Sequence, residues 1–172
     1  ELGLTFGEII QAYQDETGDK VTDVRTLAHW LYQALTEISL VYGKVKEFTI
    51  VANKKGERYA LPSDHVKTID IEKDGKPYLD FIVDAHGFIS FDTPGEFLIR
   101  YNSVVPKVDH RDLEAKPECH VLFHAWLPDY LAGKYWVTSS EGIAGEVRMA
   151  AAYFQTFHEN VAKTAETLRR RE

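Results

Sequence analysis

The residues best suited to chemistry lie in one stretch, PECHVLFHAWLPDYLAGKYW, at positions 117–136. His120 and His124 are four residues apart, so an α-helix would place both imidazole rings on one face, as two ligands of a metal require. Glu118 or Cys119 would then have to reach the ion from neighbouring faces. One candidate function is therefore a metal-dependent enzyme, with His120 and His124 as weak candidate ligands.

The remaining parts of such a site are not evident in the sequence. In zinc hydrolase helices a Glu follows the first His and acts as the general base, whereas Val121 holds that position here. A third ligand, from His110 or His158, could approach only through folding. The sequence therefore predicts no metal and no cofactor, and the metal enzyme stays an alternative.

Other catalytic signatures are missing as well. The sequence contains neither GxGxxG nor GxxxxGK[ST], and its serines at 103, 139 and 140 are not set in a nucleophile elbow. Six carboxylates of the middle segment fall in turns or on alternating positions, which is typical of a sheet with one wet face: Asp70, Glu72, Asp74, Asp80, Asp84 and Asp92. We therefore predict no catalytic residues and a protein that is not an enzyme.

Length and charge narrow the possible partners. The 172 residues are enough for one sizeable core, and the single cysteine excludes an intrachain disulfide. The formal net charge of −7 argues against general affinity for nucleic acid phosphates.

No apolar run approaches the roughly 18 residues of a membrane span, so no membrane partner is expected. The basic cluster at 169–171 is either a solvated helix end or a contact for an acidic partner.

Two amphipathic helices are predicted at the N-terminus. Residues 5–16 begin with Thr5 and Glu8 in a capping box, followed by an apolar stripe with helical period. A second stripe runs from Thr22 to Tyr42 and ends at Gly43, a common helix stop.

Two further helices are predicted near the C-terminus. The third begins at Pro117 and is kinked or broken at Pro128, and the fourth begins at a capping box of Thr138 and Glu141. The third is apolar over most of its circumference and the fourth has a heptad-like seam, so both need neighbours in a core or an oligomer. The candidate subunit-packing residues are Val121, Leu122, Trp126, Phe154 and Phe157.

Between the helix pairs the apolar period changes from 3.6 to 2, which predicts about six antiparallel strands over residues 45–101. Three hairpins are expected, at ANKKG, KDGK and DTPGE, the last two being the clearest because they contain DG and PG. The predicted fold class is α+β, predominantly α. It is a helical bundle of residues 5–43 and 117–170 with an antiparallel β subdomain inserted at about 45–104.

The order of these elements and some local phrases resemble a known family. The phrases are YALPSDHVKTIDIEKDGKPYL, then GFISFDTPGEFLIRYNSVVPKV, then a helix opened by PE.H, all within about residues 5–168. Together they are similar to the adaptor, or head-to-tail connector, proteins of tailed bacteriophages. Cys119 beside His120 and the proline at 128 depart from that pattern.

The resemblance implies a single adaptor-like domain over residues 1–172 that forms a ring, of twelve copies, under the portal in the neck of the virion. The ring would be assembled in the host cytoplasm. It would extend the channel for genomic DNA without binding the DNA specifically, and would hold a downstream stopper or tail-completion protein. In several such adaptors the C-terminal segment docks on the portal, which points to Leu168, Arg169, Arg170 and Arg171. Another neck or tail-completion protein is the remaining alternative.

Overall fold

The structure, a computed structural model, describes residues 3–140 and 142–171, and its fold class is α+β. Four α-helices are described: α1 (Phe6–Thr17), α2 (Val24–Tyr42), α3 (Leu127–Ser139) and α4 (Ala144–Arg169). A 3₁₀ helix at Val121–Trp126 leads into α3. The strands are β1 (Lys44–Ala52), β2 (Tyr59–Ala60), β3 (His65–Lys73), β4 (Lys76–Pro77), β5 (Phe81–Val83), β6 (Phe88–Phe91) and β7 (Gly95–Ser103).

The chain divides into two compact units. One contains all the helices, and the other is Gly43–Val104, which contains all seven strands. The helical unit buries aromatic and aliphatic side chains from every α-helix, among them Phe6, Tyr13, Leu31, Leu35, Leu127, Leu131, Phe157 and Val161. Each unit therefore has a core of its own.

The N-terminal helices follow their sequence signals. The Glu8 N–H donates to the Thr5 hydroxyl over 3.1 Å, and the Thr5 N–H donates to the Glu8 carboxylate over 3.0 Å, which confirms the predicted capping box. Gly18 ends α1 with a φ of 73°, a left-handed conformation that glycine adopts without steric cost. The second helix ends at Tyr42, immediately before Gly43, as predicted.

The prediction of a helix starting at Pro117 is wrong. Residues 117–120 are not helical, the 3₁₀ helix begins at Val121, and α3 begins only at Leu127. The kink or break predicted at Pro128 inside that helix is therefore wrong too, because Pro128 lies in the first turn of α3. A proline is tolerated there because its missing N–H would have no partner inside the helix.

The predicted start of the last helix at Thr138 is also wrong. Thr138 still belongs to α3, and α4 begins at Ala144; Glu141, the second residue of the expected capping box, lies outside the described residues. Four residues of the predicted heptad-like seam are buried, Ala150, Phe157, Val161 and Leu168, whereas Ile143 and Val147 at its start are 58% and 47% exposed.

The strands form two antiparallel sheets, with orders β1-β7-β3-β4 and β2-β6-β5. The DG hairpin is confirmed, because β3 pairs with β4 and both Asp74 and Gly75 have positive φ, as a type I′ turn requires. The other two predicted hairpins are wrong. Their connectors carry the chain from one sheet to the other, so β1 pairs with β7 instead of β2, and β6 does not pair with β7.

Apolar residues of both sheets form the core of the strand unit. They are Ile50, Ala52, Ile71, Ile89, Phe91, Phe97 and Ile99, all at most 8% exposed. The rings of Phe91 and Phe97 stack with centroids 3.8 Å apart and planes 4° from parallel, which joins one strand from each sheet. The opposite side chains of β1 and β7 face outward, as the alternation of strand residues dictates.

None of the helices in the described part of the chain combines the length and the apolar character that crossing a bilayer requires.

Candidate functional site

The ring of His124 is held by backbone groups at both nitrogens. The Leu4 N–H donates to Nδ1 over 3.0 Å, so the proton of the neutral ring lies on Nε2, which faces the Cys119 carbonyl oxygen at 3.3 Å. The side chain is 2% exposed. His124 therefore ties the residues preceding α1 to the segment preceding α3, and neither nitrogen is left for a metal.

The charge state of His124 follows from this environment. Burial lowers the pKa of the imidazole below its ordinary value, and this effect outweighs the hydrogen bonds to the Cys119 and Pro117 backbone, which raise it. The pKa of the half-buried Cys119 thiol is raised to about 12 by burial, so the side chain is a protonated, packed thiol.

The predicted pairing of His120 with His124 on one helical face does not occur. His120 caps the 3₁₀ helix, and its Nδ1 accepts the Leu122 N–H over 3.2 Å. Since a 3₁₀ helix has three residues per turn, positions four apart point in different directions. Over residues 3–140 and 142–171, moreover, no three His, Cys, Asp or Glu side chains are grouped as a metal ion would need.

The five predicted subunit-packing residues are placed differently from one another. Phe157 is fully buried in its own chain, so it offers no surface to another subunit. Val121, Trp126 and Phe154 are half-buried, and Leu122 is 41% exposed. Only the four residues other than Phe157 remain at the surface of the helical unit.

A groove of about 290 Å³ includes two of these residues. Its lining is Leu122, Trp126, Asn160, Lys163, Thr164 and Thr167. The Trp126 indole N–H donates to the Thr164 hydroxyl over 3.0 Å, which fixes the ring along α4. The exposed part of the groove is therefore one apolar wall with hydroxyl groups and one lysine beside it.

The predicted portal-binding residues also separate into two kinds. Leu168 is 5% exposed and belongs to the helical core. The Arg169 guanidinium donates to the Val41 carbonyl oxygen, one of the groups left without a helical partner at the end of α2. Arg170 pairs with Glu166, and Arg171 is exposed. All three arginines are exposed, and Arg170 and Arg171 are the two that are not bonded to the end of α2.

A cluster that the sequence did not reveal lies at the LPSD phrase. The Asp64 carboxylate accepts hydrogen bonds from the Lys46 ammonium, over 2.6 Å, and from the Tyr101 hydroxyl, over 2.9 Å. Both hydrogen bonds lower the pKa of Asp64. Its carbonyl oxygen accepts the Val104 N–H over 2.9 Å. The ring of His65 stacks on Tyr101, with centroids 5.4 Å apart. The phrase therefore fixes the start of β3 to β1 and β7.

The outward face of the four-stranded sheet centres on Arg100 of β7. Its guanidinium lies 2.9 Å from Glu47 of β1, and 3.0 and 2.8 Å from Asp70 and Glu72 of β3. These three contacts raise the pKa of Arg100, Glu72 contributing most. The face is an ion-pair network across three strands, with more negative than positive charge.

The helical unit also has a small cleft. Its volume is about 210 Å³, its floor is Phe6, Leu31 and Leu35, and residues 106–109 and 115–118 form its walls. The first-turn N–H groups of Phe6 and Gly7 donate to the carbonyl oxygens of Ala115 and Leu113, which fixes one wall. The cleft therefore has an apolar floor, and its walls include Lys107, Asp109, Lys116 and Glu118.

No protein-family model matches the chain, and no curated protein matches it either.

Proposed function

We propose that the chain is a structural subunit of the neck of a tailed bacteriophage. Copies of it form a ring adaptor of twelve subunits under the portal at the capsid vertex, after assembly in the host cytoplasm. The ring extends the channel through which genomic DNA passes and connects the head to a stopper or tail-completion protein. The phrases that resemble connector proteins are the sequence basis of this proposal.

The structural observation that carries the proposal is an exposed apolar segment at the turn between α3 and α4. Four large apolar residues that lie close together in sequence are exposed there: Val137 by 52%, Ile143 by 58%, Val147 by 47% and Met149 by 42%. Single exposed apolar residues are ordinary, but a concentration of them is typical of a surface that another protein covers. An assembly subunit needs such a surface.

The charge distribution suits a channel component. The net charge of −7 repels DNA phosphates, so a ring with this composition lets DNA slide. The outward sheet face around Arg100 carries three carboxylates for one guanidinium. Arg170 and Arg171 form the basic exception at the end of α4, where they provide a contact for an acidic surface of the portal.

In this proposal the four helices form a bundle that serves as the assembly body, and the strand unit is an insertion into it. The side chains of His120 and His124 have structural roles in the segment before α3. The adaptor needs no cofactor.

The test is assembly with the portal protein encoded in the same genome. The chain and the portal are purified separately, mixed, and analysed by native mass spectrometry and negative-stain microscopy. We expect a ring of the chain stacked on the portal ring. A stable small oligomer that does not bind the portal would contradict the proposal.

A matched pair of variants locates the contact. Arg170→Glu with Arg171→Glu should weaken portal binding, whereas Lys20→Glu with Arg25→Glu, two exposed charges in the N-terminal part of the chain, should not. Equal binding by both variants would remove the C-terminal arginines from the proposed contact.

A further inference from the structure

The three-stranded sheet of the strand unit ends in an apolar edge strand, β5. The order β2-β6-β5 leaves one side of β5 without a partner strand in the described part of the chain. Proteins often protect such an edge with a charge, a proline or a bulge, because its unpaired N–H and C=O groups are a template for another strand. Phe81–Val83 has no charge and no proline, and its register with β6 is regular. Its length of three residues suits a short extended segment.

The backbone groups of Phe81 and Val83 point away from the sheet. The Asp84 N–H and the Asp80 carbonyl oxygen both form hydrogen bonds on the β6 side, over 2.9 and 3.0 Å. The direction of hydrogen bonding alternates along a strand of an antiparallel sheet. The N–H and C=O groups of Phe81 and Val83 are therefore directed to the open side, where they offer two donors and two acceptors to an added strand.

Apolar side chains lie along the same edge. Leu79, Ile82 and Val83 are 83%, 70% and 41% exposed. Phe81 packs against the core of the strand unit, so Val83 shares that inner face and Ile82 points to the outer face. An added strand would cover part of this apolar surface, which favours its binding.

A groove of about 380 Å³ beside β5 contains a carboxylate without a counter-ion. The groove is lined by Asp80, Ile82 and Asp92, among others. The Lys55 ammonium lies 3.3 Å from the Asp92 carboxylate. Among the described residues, by contrast, the Asp80 carboxylate has neither an ion pair nor a side-chain hydrogen bond. The groove therefore has room and an uncompensated negative charge for a basic side chain.

We propose that β5 binds an extended segment of another protein as an added antiparallel strand, with a Lys or Arg of that segment opposite Asp80. Antiparallel addition continues the pairing of both sheets and is the more stable arrangement per residue. In its own chain direction the segment has three apolar residues, opposite Val83, Ile82 and Phe81, and then the basic residue. The inference goes beyond the proposed function, since such binding does not require the portal.

This register satisfies the alternation of hydrogen bonds. The residues opposite Val83 and Phe81 exchange backbone hydrogen bonds with them, and their side chains extend the inner face. Ile82 and Asp80 then fall in non-hydrogen-bonded pairs, in which opposite side chains come closest. The basic side chain therefore lies directly beside the Asp80 carboxylate on the outer face.

A labelled peptide tests the site on the whole chain. The probe is Ser-Gln-Val-Ile-Val-Lys-Gln-Ser with a fluorescent label at its N-terminus, and fluorescence anisotropy measures its binding. We expect saturable binding, and the NMR signals of the Phe81 and Val83 amides should shift when peptide is added. No binding at peptide concentrations up to about 1 mM overturns the proposal.

Two N-methylated peptides distinguish strand addition from general apolar binding. Methylation of the second valine removes the N–H that donates to the Phe81 carbonyl oxygen, and should lower the affinity about tenfold. Methylation of the isoleucine is the control, because its N–H points away from β5 in this register, and the affinity should stay nearly unchanged. Equal effects of the two methyl groups overturn the strand pairing.

Charge exchange tests the contact with Asp80. Asp80→Lys should lower the affinity about three- to tenfold, and a peptide with Glu in place of Lys should regain affinity for this variant. Glu96→Lys, the same change of charge at an exposed residue of β7, is the control and should leave the affinity nearly unchanged. Equal losses in the two variants, or no loss in Asp80→Lys, overturn the contact with Asp80, provided circular dichroism shows both variants folded.

Discussion

The aromatic ring of Phe154 on α4 occupies the space that a β-carbon on Gly133 of α3 would need. An ideally placed β-carbon at Gly133 would lie 2.7 Å from Cε1 of Phe154, well inside van der Waals contact. The same ring packs edge-on against Tyr130, with centroids 5.4 Å apart. The absence of a side chain at Gly133 is therefore what lets the phenyl ring lie directly against α3.

This contact predicts that Gly133→Ala destabilises the protein by about 1–3 kcal/mol, the usual cost of overpacking a core. In an open helix the same change would stabilise by about 1 kcal/mol. Gly145→Ala is the control, because among the described residues beyond its neighbours and its own helix backbone no atom lies within 4 Å of the added β-carbon, and it should stabilise α4. Urea unfolding measures both variants.

A double-mutant cycle tests whether the Phe154 ring causes the loss of stability in Gly133→Ala. If the clash is with the ring, Gly133→Ala should cost much less in a Phe154→Leu background than in the wild type. An equal cost in both backgrounds would show that some other neighbour of Gly133 is responsible.

The sequence was most informative where the structural cause is local. The Thr5–Glu8 capping box and the Asp74–Gly75 turn are set by interactions within a few residues, so both were predictable. The DTPGE connector has turn residues too, but Gly95 starts β7 in the other sheet. Choosing between a hairpin and a crossover depends on which strands share a core, and that information is not local.

The same distinction applies to the candidate residues. The roles of His124 and Asp64 depend on Leu4 and Tyr101, partners far away in sequence, so spacing could not reveal them. The i, i+4 pair of histidines suggested one helical face only because the segment was assumed to be α-helical. The segment is a 3₁₀ helix with three residues per turn, so residues four apart do not share a face.

His124 should make the stability of the helical unit depend on pH. In the unfolded chain the imidazole takes up a proton near pH 6.5, whereas burial lowers its pKa in the folded protein. Below about pH 6.5 the unfolded chain therefore binds more protons, and the free energy of unfolding should fall as the pH falls toward the lowered pKa.

Urea titrations at several pH values between 7 and 5 test this dependence. His124→Asn, which keeps an acceptor near the Nδ1 position, should flatten the decrease, whereas the exposed His86→Asn should not. His65 should change the stability of the strand unit in the same direction, since burial lowers its pKa as well. A His124→Asn variant with the wild-type pH profile would contradict the assignment.

The Asp64–Tyr101 hydrogen bond should stabilise the strand unit. Tyr101→Phe removes only the hydroxyl that donates to Asp64, and we expect a loss of about 1 kcal/mol in the free energy of unfolding. Tyr78→Phe is the matched control, because that exposed hydroxyl reaches only Thr93, at 3.4 Å. Equal losses for the two variants would mean that the Asp64 contact adds nothing to stability.

Removal of the Arg100 charge should reverse the effect of salt on stability. Arg100 lies between Glu47, Asp70 and Glu72, so Arg100→Gln leaves three carboxylates close together without a cation. Salt screens attraction in the wild type but repulsion in the variant, so added NaCl should raise the thermal midpoint of the variant relative to that of the wild type. Arg58→Gln is the control, since it frees a single carboxylate, Asp84, and creates no such cluster. Parallel salt curves for Arg100→Gln and the wild type would show that the three carboxylates do not interact across the sheet.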